Sequence, residues 1–264
     1  MKPLHADTIA DACQSLANHA PEVVLFESIG STNSWLVEHG SAHADFTLCC
    51  TDQQTAGRGR RGKTWLTPRG AITFSIQMRV PQPVAQLSGF SLFTGAAVCR
   101  VLRRQNLDVM VKWPNDIYHQ NSKLAGILIE VGTSDSQSTV VVAGIGINYQ
   151  QGDERRDIDQ PSVDLHSALN GAPPPRSVLI GQIAAEVFTG AMTFDRLAMH
   201  KMATDWAQYD YLHNRTVSII DSAQTRRGIA RGIDVSGRLQ VDTPGGLVAL
   251  SSGEVSVRPD DQME

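Results

Sequence analysis

Apolar positions recur along this chain in two rhythms, and the rhythm changes once. Residues 7–19 keep the spacing of a short amphipathic helix, and 23–26 read as a strand. Ser31 stands where an N-cap belongs, ahead of a helical stretch at 32–39 that Gly40 closes. A second strand is predicted at 46–50. Residues 51–70 lack periodicity and are rich in Gly, Arg and Gln, which predicts a long functional loop. From 71 to 80 the pattern alternates as in a half-exposed strand, with Ile72, Phe74, Ile76 and Met78 on one face. Residues 83–105 read as helical, and 109–111 lead as a strand into the turn Trp113-Pro114-Asn115-Asp116. The segments 124–131 and 139–147 are apolar and β-branched enough to be central strands. A polar, acidic loop follows at 150–159, and Pro173-Pro174-Pro175 precedes a helical stretch over 177–211.

After His213 the helical rhythm stops. Short β-runs at 216–220, 228–233, 239–241, 247–250 and 255–257 are separated by turn signals at 234–237 and at Pro244-Gly245-Gly246. Five short strands in about fifty residues fit a small closed barrel. The expectation is therefore two domains, 1–212 and 213–264, the first a mixed sheet flanked by helices (α+β).

Composition removes several classes. At 264 residues, with 41% apolar and 19% charged residues, the chain can bury a real core. Its net charge of -4 offers nucleic acid no basic surplus. No run approaches the ~20 apolar residues of a spanning helix, and the start MKPLHADTIADACQ carries acids rather than a basic-then-apolar signal. Cys13, Cys49, Cys50 and Cys99 show no zinc spacing, so reduced, buried thiols in a cytoplasmic protein are expected.

The most informative segment is Gly57-Arg58-Gly59-Arg60-Arg61-Gly62-Lys63-Thr64. It satisfies the P-loop pattern and also the dinucleotide fingerprint. Both motifs need their glycines to open a helix whose N-terminus faces phosphate. Here Trp65-Leu66-Thr67-Pro68-Arg69-Gly70 follows, which cannot make that helix, and a six-residue gap separates the loop from the preceding strand, which ends at Cys50. What remains is three guanidinium groups and an ammonium on a flexible backbone. These suit a polyanion, because arginine's planar donors match phosphate oxygens and glycines let the chain close over a ligand. A solvated basic turn or a nucleic-acid contact has the same composition.

Four further segments discriminate. They are Ser31-Thr32-Asn33, Asp52-Gln53-Gln54-Thr55-Ala56, Lys112-Trp113-Pro114-Asn115-Asp116 with Lys123-Leu124-Ala125-Gly126-Ile127-Leu128, and Gly144-Ile145-Gly146-Ile147-Asn148. With the arginine loop, in this order and spacing, they resemble the biotin–protein ligase family, over about residues 26–258. The resemblance implies a core like that of the class II aminoacyl-tRNA synthetases, followed by an SH3-like barrel. It implies activation of biotin by ATP to biotinyl-5′-AMP with release of pyrophosphate, then transfer to a lysine of the biotin carboxyl carrier protein.

Residue by residue, the resemblance implies a biotin site of Ser31, Thr32, Asn33, Gln54, Gly57, Arg58, Arg60 and Lys123. It implies a nucleotide site of Arg58, Arg60, Arg61, Trp65, Lys112, Asn115, Asp116, Asn148, Glu254 and Arg258, with Lys123, Arg60 and Arg58 catalytic. Asp116 would meet Lys112 or the metal–phosphate region, or else serve the turn. Mg²⁺ would bridge the phosphates, with no protein ligand assigned. About 22 residues precede the first core strand, too few for the winged helix that some relatives carry. No repressor activity, nucleic acid or membrane partner is therefore expected. Relatives pair through the edge of the central sheet, for which 139–147 is the candidate edge of a homodimer.

Overall fold

The computed structural model describes residues 2–67, 70–150, 161–169, 171–220, 225–253 and 255–260. The expected acidic loop at 150–159 falls, apart from Gln150, outside the described residues.

The first sheet contains β1 (Glu22–Ile29), β2 (Phe46–Gln54), β3 (Ile72–Val80), β4 (Met110–Lys112), β5 (Asp116–His119), β6 (Ser122–Ser134) and β7 (Thr139–Ile147). Their order is β1-β2-β3-β7-β6-β5-β4. Only the first pair is parallel, so the sheet is mixed. A parallel pair needs a crossover, and α2 (Thr32–His39) supplies it. On the opposite face lie α1 (Ala6–Ala17) and α3 (Phe90–Arg103). After the short α4 (Leu165–Ala168), α5 (Arg176–Met192) packs on α1, α3 and β3.

Three expectations change here. Strand β3 is not half-exposed. Ile72, Phe74, Ile76 and Met78 are buried toward the helices, and Thr73, Ser75 and Gln77 are buried on the other face because α2 covers it. Gln77 Nε2 donates to the carbonyls of Gly40 (2.9 Å) and Ala44 (3.1 Å), and a Cβ on Gly40 would collide with this side chain. Second, β7 is not an edge. It is hydrogen-bonded to β3 on one side and β6 on the other, and the sheet's edges are β1 and β4. Third, the two long helical stretches are each broken. Gly89 (φ 84°) turns the chain before α3 begins at Phe90. Downstream, Asp195 Oδ1 accepts from Ala198 N (2.7 Å) to start a separate helix, α6 (Arg196–Asp205).

The second sheet is antiparallel: β8 (Thr216–Ile220), β9 (Thr225–Ile233), β10 (Leu239–Thr243), β11 (Gly246–Leu250) and β12 (Ser256–Pro259), ordered β11-β10-β9-β8-β12. Among the described residues β11 and β12 do not pair, so this sheet is open rather than a closed barrel. It is tied to the first unit. Trp113 Nε1 donates to Gly237 O (3.1 Å), and Ser88 Oγ donates to Ser236 O (2.6 Å). Among the described residues no helix is long and apolar enough to cross a membrane.

Candidate active site

One cavity of about 710 Å³ lies between the α2 side of the first sheet, the arginine loop and the segment leading into β12. Its lining includes Ser31, Thr32, Asn33, Gln54, Arg58, Arg60, Arg61, Trp65, Lys112, Asn115, Asp116, Lys123, Asn148 and Arg258. Gly57 sits at the base of the loop, where its carbonyl accepts from Trp65 N (2.9 Å). Glu254 lies outside the described residues.

The first wall is built from the N-terminus of α2. Ser31 caps it, its Oγ accepting from Ser34 N at 3.4 Å. Thr32 donates to Gln54 Oε1 through both its amide (2.9 Å) and its hydroxyl (3.2 Å), which locks the glutamine at the end of β2. Behind them Ser75 Oγ bridges Thr32 Oγ1 (2.7 Å) and Asn33 Oδ1. Asn33 Nδ2 donates to Leu128 O (3.3 Å) and Glu130 Oε2 (2.9 Å). Asn33 is therefore satisfied by protein on both ends and acts as a support. Polar groups in such a network are costly to leave unpaired, which makes the wall rigid.

The arginine loop is a tight hairpin. Arg58 bridges Thr64, and Gly59 N donates to Lys63 O (2.7 Å). The reversal falls at Arg61 (φ 56°) and Gly62 (φ 71°), left-handed positions that glycine takes without a steric penalty. Arg60 reaches Asn115 Oδ1 (3.4 Å) and Ser252 O (2.8 Å), while Arg61 reaches Gly253 O (2.7 Å). The hairpin thus spans the cavity mouth from the first sheet to the second. Burial, then the neighbouring Arg61, pulls the Arg60 guanidinium below its ordinary value against the opposing pull of Asp116. Arg60 remains a cation at any physiological pH.

The ammonium of Lys123 lies 2.8 Å from Asp116 Oδ1, with the two side chains only 15% and 22% exposed. Asp116, for which the resemblance implied Lys112, the metal–phosphate region or a role in the turn, pairs here with Lys123. Lys112 Nζ donates to Tyr118 OH (3.1 Å) and lies over that ring. Strict strand alternation would put Lys123 and Gly126 on opposite faces. The β5–β6 register shifts between Ile117 and Tyr118, and this irregularity turns Lys123 onto the face of Gly126. A Cβ on Gly126 would lie 3.5 Å from Lys123 Cε.

Trp65 supplies the floor. Its indole lies against Gly126 and Gly146, paired neighbours on β6 and β7, with Lys123 Nζ 5.5 Å from the ring. Among the described residues, Trp65 Nε1 is buried without a hydrogen-bond partner. Asn115 Nδ2 donates to Ile127 O (2.7 Å), and Asn148 Nδ2 donates to Lys123 O (3.1 Å), so both hold the strands that carry the charges. Arg258 is exposed on β12 at the rim, and burial pushes the nearby Tyr118 phenol well above its usual value.

Sequence reasoning missed Ser75, Glu130 and the carbonyls of Ser252 and Gly253. Backbone acceptors carry no sequence signal. Glu130 did carry one, as the carboxylate within the otherwise apolar run 124–131.

Comparison with known proteins gives the family and the fold. A model of the biotin/lipoate A/B protein ligase family matches residues 25–148, and one of the biotin protein ligase C terminal domain matches 212–258. The chain is 34% identical over 239 residues to the bifunctional ligase/repressor BirA of Escherichia coli, covering 89% of this chain and 74% of that protein. It is 31% identical over 262 residues to the biotin–[acetyl-CoA-carboxylase] ligase of Mycobacterium tuberculosis, covering 96% and 95%. The biotin protein ligase of Aquifex aeolicus, solved with biotin and ATP, has the same fold: TM-score 0.79 at 23% identity, over 90% of this chain and 99% of that one. The chain belongs to the biotin protein ligases, within the biotin/lipoate A/B protein ligase family.

Proposed function

We propose that this ligase joins biotin to a lysine of a biotin carboxyl carrier protein in two steps. A biotin carboxylate oxygen attacks the α-phosphorus of ATP, the bond to pyrophosphate breaks, and biotinyl-5′-AMP forms. A deprotonated lysine amine of the carrier then attacks the acyl carbon, and AMP leaves. The observation that carries this reading is the chain of contacts Arg60–Asn115–Asp116–Lys123 beside the Thr32–Gln54 wall. An anion attacking a phosphoryl centre needs positive charge where charge accumulates. In this reading Lys123, paired with Asp116, and Arg60, bonded to Asn115, supply that charge. The apolar and polar lining together suit a neutral ureido ring on an aliphatic chain. The orphaned Trp65 Nε1 donor is the kind of group a ligand satisfies.

Mg²⁺ fits this site as a phosphate-borne ion. Among the described residues no cluster of three metal-ligating side chains occurs, and Asp116 is the one carboxylate lining the cavity. Mg²⁺ takes one or two carboxylates, waters and substrate phosphates, and when bound it neutralises phosphate charge. We assign 1–212 to the catalytic domain and 213–264 to a C-terminal domain of SH3-like type. Buried, unpaired cysteines suit a reducing compartment, and we assign the cytoplasm. A homodimer would use an edge of the first sheet, β1 or β4.

Pyrophosphate–ATP exchange tests the proposal. Exchange is expected only with biotin present, and not with lipoate in its place. ATP turnover at full rate without biotin would defeat the reading.

A further inference from the structure

Glu130 belongs to none of the groups that handle phosphate, yet it joins two parts of the site. Along β6 the residues Gly126, Leu128 and Glu130 share one face, the face that borders the cavity. Glu130 ends this row, and its two oxygens are divided. Oε1 pairs with Arg58 Nη2 at 2.9 Å. Oε2 accepts from Arg58 Nη1 (3.3 Å) and from Asn33 Nδ2 (2.9 Å). The two guanidinium nitrogens meet the two carboxylate oxygens as a fork, the geometry that fixes orientation as well as distance. Arg58 Nη1 also donates to Ser34 Oγ at 3.2 Å, so the first turn of α2 is held by the same arginine.

From this we infer that Glu130 is a positioning residue which couples the α2 wall of the biotin pocket to the arginine hairpin. The inference rests on the proposed activation of biotin and names a further residue for it. Arg58 opens the hairpin through its bridge to Thr64. Asn33, through Ser75, fixes Thr32, and Thr32 fixes Gln54. One carboxylate thereby sets both the wall that would hold the ureido ring and the base of the loop that crosses the mouth. With Glu130 removed, Asn33 Nδ2 keeps only the carbonyl of Leu128, and Arg58 keeps only Ser34. The nucleotide-facing contacts of Arg60 with Asn115 and Ser252 do not pass through Glu130. The coupling therefore acts on biotin more than on ATP.

The test uses the full chain and four variants: Glu130→Ala, Glu130→Gln, Arg58→Ala and the double alanine variant. Biotin-dependent pyrophosphate–ATP exchange gives KM for biotin and for ATP separately, and thermal melting reports folding. Glu130→Ala is expected to raise the biotin KM about fivefold, with the ATP KM changed less than about twofold. Glu130→Gln, which keeps one acceptor, should fall between alanine and wild type. The double variant should match Arg58→Ala, because the two residues act as one unit. An unchanged biotin KM in folded Glu130→Ala, equal rises for both substrates, or multiplying effects in the double variant would overturn the inference. Should the alanine variant not fold, a wild-type biotin KM in Glu130→Gln overturns it alone. Wild-type exchange that ignores biotin would instead sink the proposed function.

Discussion

The indole of Trp65 occupies the space that a side chain on Gly146 would fill. A Cβ built there would stand 2.5 Å from Trp65 Cζ2 and 2.7 Å from Nε1. Gly126, the cross-strand partner of Gly146, offers the same ring a second bare patch of backbone. Two facing glycines thus make the shelf on which the cavity floor rests.

Gly146→Ala is expected to displace the ring rather than unfold the chain, since overpacking costs about 1–3 kcal/mol. Exchange activity should fall at least about tenfold, with an altered tryptophan emission spectrum and a melting temperature within a few degrees of wild type. Unchanged emission together with unchanged activity would show that the shelf is not needed.

Lys123 is held by Asp116 and aimed by the register shift in β6. Lys123→Ala is expected to lower biotin-dependent exchange by about a hundredfold or more, because under the proposed function it removes a preorganised charge from beside the phosphoryl centre. Asp116→Asn keeps the shape but releases the ammonium, so kcat should fall with a smaller change in KM. Steady-state exchange kinetics for both variants check this.

Arg60 joins the hairpin to the second sheet through Ser252 O and to β5 through Asn115. Arg60→Gly should open the mouth, since a lid protects a reactive acyl-adenylate from water and stray amines. Indiscriminate biotinylation of bystander proteins, read on a streptavidin blot, is the expected result. Labelling confined to the carrier would count against a closing role.

Asp210 supplies a pH dependence of stability. It is buried at the junction between the two sheets, and burial pushes its carboxyl up to about 6 although Leu212 N donates to it. A folded value above the ordinary 3.8 means that the folded chain prefers the protonated acid. Its stabilising effect is present below about pH 4 and is lost as pH rises through about 6. Asp210→Asn should therefore raise stability at pH 7.5 by up to about 2–3 kcal/mol and change little near pH 4. Urea denaturation at both values measures it.

Local pattern reached far into this molecule. The α2 start at Ser31, the strand faces of Ile72 to Met78 and the five short C-terminal strands are visible in apolar spacing and turn residues, because they depend on neighbours in sequence. The charges that line the cavity were legible too, through the order and spacing of the motifs around the arginine loop, since the loop's composition alone also fits a solvated basic turn. Strand order was not legible. That β7 is central, and that the polar face of β3 is buried, follows from which strands pair and from where α2 lies.

By itself, then, the sequence determined the repertoire: the elements, the cations and the turn types, each set by propensity and periodicity over a few residues. Only the tertiary structure decided the partners. Glu130 meets Arg58 across 72 positions, and Arg60 meets Ser252 across 192. A slip in register places Lys123 on the cavity face that alternation would deny it. Contacts across such separations come from packing whole sheets against one another, and no spacing rule along the chain encodes them.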